Sequence, residues 1–117
     1  MPTAAVNGVS MAYADEGQGD ALILLHGLGV SRRDWGPQIE HFRRHWRVIA
    51  PDFRGHGDSD KPDGQYSVAQ HAADIVALMD TLGIPAAHVV GLSMGGMVAF
   101  QMAADCPARL RSMTIVN

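Results

Sequence analysis

A single serine lies between glycines where an apolar stretch gives way to small residues, in Gly91-Leu92-Ser93-Met94-Gly95. The pattern G-x-S-x-G is typical of a sharp turn from strand to helix, in which the glycines let the two backbones pass close together. The helix that starts there directs free N–H groups and the positive end of its dipole towards the serine. Such a turn suits a nucleophile whose attack generates an oxyanion, so Ser93 is the candidate nucleophile. The alternative is a plain turn or N-cap serine with no catalytic role.

A second glycine-rich segment, His26-Gly27-Leu28-Gly29, follows an apolar run. Glycines after a strand allow backbone N–H groups to approach a ligand, although ordinary strand-end turns have the same pattern. Gly27-Leu28-Gly29 also begins a dinucleotide-binding fingerprint, and Asp52 lies where a ribose-binding acid would follow. Arg32 stands in place of the third glycine, so we expect no nucleotide cofactor.

Histidines and tryptophans cluster between residues 35 and 46. His41 and His45 are four residues apart on a predicted helix, which is a spacing compatible with a metal. No third ligand is evident, and the segment HFRRHWR is more typical of a solvated basic face, so we expect no metal site. Trp35 and Trp46 are better explained as packing residues than as platforms for a ligand.

The elements that must position these residues alternate between strand and helix. Asn7-Gly8 predicts a tight hairpin, and short apolar runs bounded by glycine or proline predict buried strands. Ser67 and Gly83 are suitable caps for the clearest helix, whose apolar residues recur at three- and four-residue spacing. This alternation predicts an α/β fold, with a mostly parallel sheet, flanking helices and an N-terminal hairpin. The predicted strands after the hairpin are 21–25, 47–51, 87–91 and 110–117, and the predicted helices are 33–42, 67–83 and 94–106.

The composition limits the classes of protein to consider. The chain of 117 residues is 47% hydrophobic and 18% charged, which is typical of one globular domain with a modest core. A formal net charge of -3 offers no basic surface for nucleic acid. No apolar run approaches the length of a membrane span, and no secretory signal is visible at the N-terminus. Since Cys106 is the only cysteine, we expect a reducing, cytoplasmic location.

Three motifs occur together in the segments LILLHGLG, APDFRGHGDSDKP and VVGLSMGGMVA. In this order and spacing they resemble the α/β-hydrolase family, and within it small serine esterases and 3-oxoadipate enol-lactonases. The likeness covers essentially the whole chain. It implies that Ser93 is the nucleophile for an ester or lactone and that Gly91 and Gly95 are the glycines of the nucleophile turn. It also implies an oxyanion hole built from the backbone N–H groups of Leu28 and Met94, with His26 bracing the site rather than acting as acid or base.

The chain departs from the family after the serine. Members of the family place an acid and then a histidine after the nucleophile. Residues 94–117 contain one acid, Asp105, and no histidine. Asp105 lies near the far end of the helix that begins at Ser93, which carries it roughly 15 Å away. We therefore expect residues 1–117 to form the N-terminal half of an α/β-hydrolase domain, truncated after its sixth strand.

Two classes of function stay open at this stage. The chain is part of a serine hydrolase with weak or no activity alone, because a hydroxyl without a base stays protonated at neutral pH. Alternatively, it is a non-catalytic fragment that associates or binds small carbonyl compounds. An apolar last strand without a neighbour would favour association between copies of the chain.

Overall fold

The computed structural model describes residues 2–117, and a six-stranded sheet forms its centre. The strands lie side by side in the order β1-β2-β4-β3-β5-β6. The first two strands form a hairpin, and β2 also pairs antiparallel with β4, whereas β4, β3, β5 and β6 run parallel. The mostly parallel sheet and the N-terminal hairpin predicted from the sequence are thus confirmed. The strands are Thr3–Val6 (β1), Val9–Glu16 (β2), Ala21–Leu25 (β3), Arg47–Pro51 (β4), Ala87–Leu92 (β5) and Leu110–Val116 (β6).

Three α-helices connect the parallel strands: Gly36–Phe42 (α1), Val68–Thr81 (α2) and Met94–Asp105 (α3). The predicted caps of α2 are present, because the Ser67 hydroxyl accepts the Gln70 N–H at 3.0 Å and Gly83 follows the helix at φ +70°. Short 3-10 turns precede α1 at Arg32–Trp35 and β6 at Pro107–Arg109.

The helix predicted over residues 33–42 is wrong in one respect, because it is divided into the first 3-10 turn and α1. Pro37, which has no N–H to donate, occupies the first turn of α1. The α-helix ends at Phe42, so His41 and His45 do not share a helix, and both are exposed.

Helices pack against both faces of β3, which explains the unbroken apolar run of this strand. All five residues of β3 are buried. Leu22 and Leu24 pack towards Trp35 and the α1 side, whereas Ile23 and Leu25 belong to the larger core under α2 and α3. The motifs found in the sequence follow β3, β4 and β5, so they meet at the carboxyl ends of neighbouring parallel strands.

A buried ion pair between Arg54 and Asp74 supports the loop that follows β4. Asp74 of α2 is fully buried and accepts from the Arg54 guanidinium at 2.6 and 3.0 Å, and from Asn7 and Gln70. Such a carboxylate is stable in the core only while these donors surround it. Within residues 2–117, no helix combines the length and the hydropathy needed to cross a membrane.

Candidate active site

Ser93 lies at the turn between β5 and α3, as its flanking glycines predict. Its backbone has φ 54° and ψ −113°, and its side chain is exposed. A non-glycine residue at positive φ is strained and persists only where the surrounding structure enforces it. The Ser93 N–H donates to the carbonyl of Val116 at 2.9 Å, and the Ser93 carbonyl accepts the N–H groups of Gly96 and Met97. Strand pairing on one side and the first turn of α3 on the other thus hold the strained backbone.

The glycines around Ser93 occupy places where a side chain would collide with backbone. A Cβ on Gly91 would lie 2.6 Å from the amide nitrogen of Gly96. A Cβ on Gly95 would lie 2.8 Å from the carbonyl oxygen of His26 and closer still to that of Leu25. The turn is therefore tight because β3, β5 and α3 approach one another without intervening side chains.

The loop after β3 passes beside the serine. The position of a Cβ on Gly27 lies 3.6 Å from Ser93 Cβ, so this glycine brings the loop to the nucleophile turn. Next along the chain, Leu28 is 73% exposed. Within residues 2–117, neither the Leu28 N–H nor the Met94 N–H donates to a protein oxygen. One of these two N–H groups follows Ser93 directly at the start of α3, and the other belongs to the loop that Gly27 brings beside Ser93.

His26 braces this loop and is itself fully buried. The Phe53 N–H donates to its Nε2 at 3.1 Å, so Nδ1 carries the proton and donates to the Gly27 carbonyl at 2.7 Å. Burial lowers the pKa of His26 below its ordinary value of 6.5, which keeps the ring neutral. Both ring nitrogens are engaged, so His26 does not serve as a base for Ser93 in this arrangement.

Three buried histidines form a cluster that the sequence did not predict. The rings of His26 and His56 have centroids 5.1 Å apart, and the His71 ring of α2 packs 4.8 Å from Phe53. Within the described chain, His71 Nδ1 is buried without a hydrogen-bond partner. Burial lowers the pKa of His71 from 6.5 to about 4.

No described side chain is placed as a general base for Ser93 by a hydrogen bond to its hydroxyl. Within residues 2–117, the Ser93 hydroxyl hydrogen-bonds to no side chain. Asp105 ends α3, eleven residues after Met94, and its carboxylate binds the side-chain amide of Gln101. In the described residues the site thus combines an exposed serine on a strained backbone with two N–H groups that have no protein acceptor, and no side chain hydrogen-bonds to the serine hydroxyl.

The sequence offered two other kinds of site, a nucleotide site at Asp52 and a metal site at His41 and His45. Asp52 is fully buried and its carboxylate already accepts from Arg32 and Asp58, so it does not face a ribose. Within residues 2–117, His41 and His45 belong to no group of three or more side chains suited to hold a metal ion.

Comparison with known proteins identifies what the chain resembles. A family model described as the alpha/beta hydrolase fold matches residues 20–117. The 3-oxoadipate enol-lactonase 2 of Acinetobacter baylyi is 38% identical over 117 residues, which cover 98% of this chain and 44% of the relative.

Solved structures agree with this comparison. The enol-lactonase of Burkholderia xenovorans superimposes with a TM-score of 0.92 at 38% identity, over 96% of this chain and 45% of that structure. An epoxide hydrolase of Vigna radiata gives a TM-score of 0.95 at 31% identity, over 99% of this chain and 39% of that structure. The chain spans less than half the length of these relatives.

Proposed function

The chain belongs to the alpha/beta hydrolase family, and from that premise we propose that Ser93 is the nucleophile of a serine hydrolase that acts on a carboxylic ester or lactone. The observation that carries the proposal is the strained and exposed Ser93 beside two N–H groups without acceptors. Non-glycine residues are rarely held at positive φ, and such strain is concentrated at functional sites.

In the proposed reaction, Ser93 Oγ attacks the carbonyl carbon of the ester. The carbonyl oxygen becomes an oxyanion, and the N–H groups of Leu28 and Met94 donate to it. The general base takes the Ser93 hydroxyl proton during the attack and returns it to the leaving oxygen as the bond from the carbonyl carbon to that oxygen breaks. An ester then gives an acyl-serine and a free alcohol, whereas a lactone gives an acyl-serine that still carries the alcohol group. Water hydrolyses the acyl-serine and restores the hydroxyl.

The substrate class in this proposal is supported by the names of the relatives. The Acinetobacter and Burkholderia proteins are enol-lactonases, and a lactone is a cyclic ester that undergoes the same acyl transfer. The exposed Leu28 gives the mouth of the site an apolar rim on the loop side.

We place the general base of this reaction outside residues 1–117. The six histidines all precede Ser93 in the sequence, and His26 uses both ring nitrogens within the protein. A serine without a base is a poor nucleophile at neutral pH, so this chain alone should hydrolyse an activated ester slowly, at a rate that still depends on Ser93. An oxyanion hole without a triad leaves roughly 10³–10⁴-fold catalysis over water in complete enzymes.

The test is hydrolysis of 4-nitrophenyl acetate by residues 1–117 beside Ser93→Ala. A small rate that disappears in Ser93→Ala supports the nucleophile, and equal rates in both proteins contradict it. The matched control is Ser112→Ala, which removes an exposed serine hydroxyl from β6 and should leave the rate unchanged.

A second proposal concerns association between copies of this chain through β6. This strand pairs only with β5 among the described strands, and Ser112, Thr114 and Val116 are exposed on it. The neighbouring sheet face holds a groove of about 350 Å³ that Trp46 and His88 help to line. An unpaired strand edge beside an open groove on the sheet face favours pairing with another chain. The proposal also includes a cytoplasmic location. Cys106 is a free cysteine, which suits a reducing compartment.

Analytical ultracentrifugation at micromolar concentrations tests this second proposal. We expect a mass that rises with concentration in the parent and falls back towards the monomer in Thr114→Lys, since an edge lysine opposes strand pairing. Thr3→Lys places the same charge on the opposite edge strand, β1, and should not change the mass. A parent that stays monomeric throughout the concentration range rules the proposal out.

A further inference from the structure

The segment 26–32, here called the oxyanion loop, is held at both ends by two consecutive residues after β4. At its start, the Phe53 N–H donates to His26 Nε2 at 3.1 Å. At its end, the Arg32 N–H donates to Asp52 Oδ1 at 2.7 Å. These two hydrogen bonds connect both ends of the loop to one point of the sheet.

Packing contributes little to the loop between these two points. Leu28 is 73% exposed, and around Gly29, which has φ +76°, there is open space. Leu28 and Gly29 have few contacts with the rest of the protein, so the position of this part of the loop depends strongly on its anchors.

Asp52 is a rigid anchor. Its own N–H donates to the Ala12 carbonyl of β2 at 2.8 Å, and its carbonyl accepts the Ser59 hydroxyl at 2.7 Å. Its carboxylate is fully buried, and besides the Arg32 N–H it accepts the Asp58 N–H at 2.9 Å and forms an ion pair with the Arg32 guanidinium. One carboxylate thus connects the oxyanion loop to the loop after β4.

The stability of the fold does not by itself account for a fully buried carboxylate here. Desolvation of a buried ion pair offsets most of its attraction, and an apolar replacement is often as stable. An apolar side chain could not accept hydrogen bonds from the two Arg32 groups and the Asp58 N–H. These bonds fix the distance between the two loops.

We propose that Asp52 is the positioning residue of the oxyanion loop, which it holds through the Arg32 N–H so that the Leu28 N–H faces Ser93. This inference rests on the proposed function, because that function gives the Leu28 N–H its role. Arg32 neutralises the carboxylate and keeps it directed towards the loop.

The test is solution NMR of the ¹⁵N-labelled chain with Asp52→Asn. An asparagine side chain has one acceptor oxygen, and its amide would face N–H donors, so the anchor loses its charge and most of its capacity. We expect amide exchange at Arg32 to accelerate on the order of ten- to a hundredfold, because a hydrogen bond to a charged group is lost. The amide signals of Leu28 and Gly29 should shift and show faster motion.

The control is Asp15→Asn, which breaks a partly exposed ion pair on the same sheet. Arg47 donates to both carboxylate oxygens of Asp15 at 3.0 and 2.8 Å, between β2 and β4 and away from the loop. This variant should leave the signals of Leu28 and Gly29 at their parent positions. If loss of any ion pair on this sheet disturbed the oxyanion loop, Asp15→Asn would shift the Leu28 and Gly29 signals as well.

Arg32→Gln decides the question if Asp52→Asn does not fold. It keeps the backbone N–H but leaves the buried carboxylate without its cation, and we expect amide exchange at residue 32 to accelerate at least tenfold. Unchanged exchange and unchanged Leu28 signals in a folded Arg32→Gln variant would overturn the proposal.

The 4-nitrophenyl acetate assay on the same samples separates the two proposals. A parent without any rate that depends on Ser93, together with a loosened loop in Asp52→Asn, contradicts the hydrolase and supports the anchor. A rate that depends on Ser93, together with an undisturbed loop in Asp52→Asn, supports the hydrolase and overturns the anchor.

Discussion

His71 should make the stability of this protein depend on pH below neutrality. The ring is 3% exposed, and burial lowers its pKa from 6.5 to about 4. The unfolded chain therefore takes up a proton at a higher pH than the folded chain does. Stability from the neutral ring is fully present above pH 6.5 and is lost as the pH falls towards 4.

The size of the effect follows from this shift in pKa. One unit corresponds to about 1.4 kcal/mol, so the decrease from 6.5 to about 4 amounts to roughly 3.5 kcal/mol of unfolding free energy in full, of which about 3 kcal/mol is lost by pH 4. His26 adds to the loss, since burial lowers its pKa as well. The charged pair of Asp74 and Arg54 also influences His71, with opposite signs: Asp74 raises its pKa and Arg54 lowers it.

Urea unfolding, followed by tryptophan fluorescence at a series of pH values from 4 to 7.5, measures the effect. His71→Phe keeps an aromatic ring beside Phe53 but removes the titration and the unpartnered Nδ1, so the pH dependence should flatten by about 3 kcal/mol. The exposed His41→Phe is the matched control and should retain the parent's dependence. If His71→Phe loses stability with acid as steeply as the parent, the reasoning is refuted.

Three further substitutions test the packing around the site, each by urea unfolding at pH 7. Gly95→Ala should lower the free energy of unfolding by about 1–3 kcal/mol, because the new Cβ would meet backbone carbonyls. The control Gly36→Ala faces open space in a helix and should be neutral or slightly stabilising. Equal effects of the two substitutions would contradict the close approach at the nucleophile turn. Ser67→Ala should cost about 1 kcal/mol through the lost cap of α2, and an unchanged midpoint would show that the cap is dispensable. Arg54→Met should lower the free energy of unfolding by about 3–5 kcal/mol, because it leaves the buried Asp74 carboxylate without its cation. The control Arg43→Met breaks an exposed ion pair with Glu16 and should change stability little. A small effect of Arg54→Met would mean that other groups compensate the Asp74 charge.

The local pattern of the sequence was sufficient to predict most elements of the fold. Short apolar runs, the Asn7-Gly8 turn and the caps at Ser67 and Gly83 each act within a few residues of where they stand. The 3-10 turn before α1 was missed, because apolar spacing does not distinguish it from the first turn of a helix, although Pro37 was a usable signal.

The nucleophile turn was also predictable, because its geometry is a local matter. Gly91 and Gly95 flank Ser93 within five residues, and such a pattern permits one tight path from strand to helix. The place of Ser93, its positive φ and its exposure follow from that path. The roles of Leu28 and Met94 as oxyanion donors stay a prediction.

The supports of the site were decided only by tertiary structure. Asp52 lies 20 residues from Arg32, and His71 lies on a helix that reaches His26 and His56 only after the sheet has formed. No spacing in the sequence signals these partners, because side chains so far apart along the chain meet only through the order and register of the strands that carry them. The sequence by itself therefore determined which residue stands strained and exposed at the end of β5. The folded sheet decided which buried charges and rings hold the neighbouring loop in place, because burial and long-range hydrogen bonds exist only once the strands have assembled.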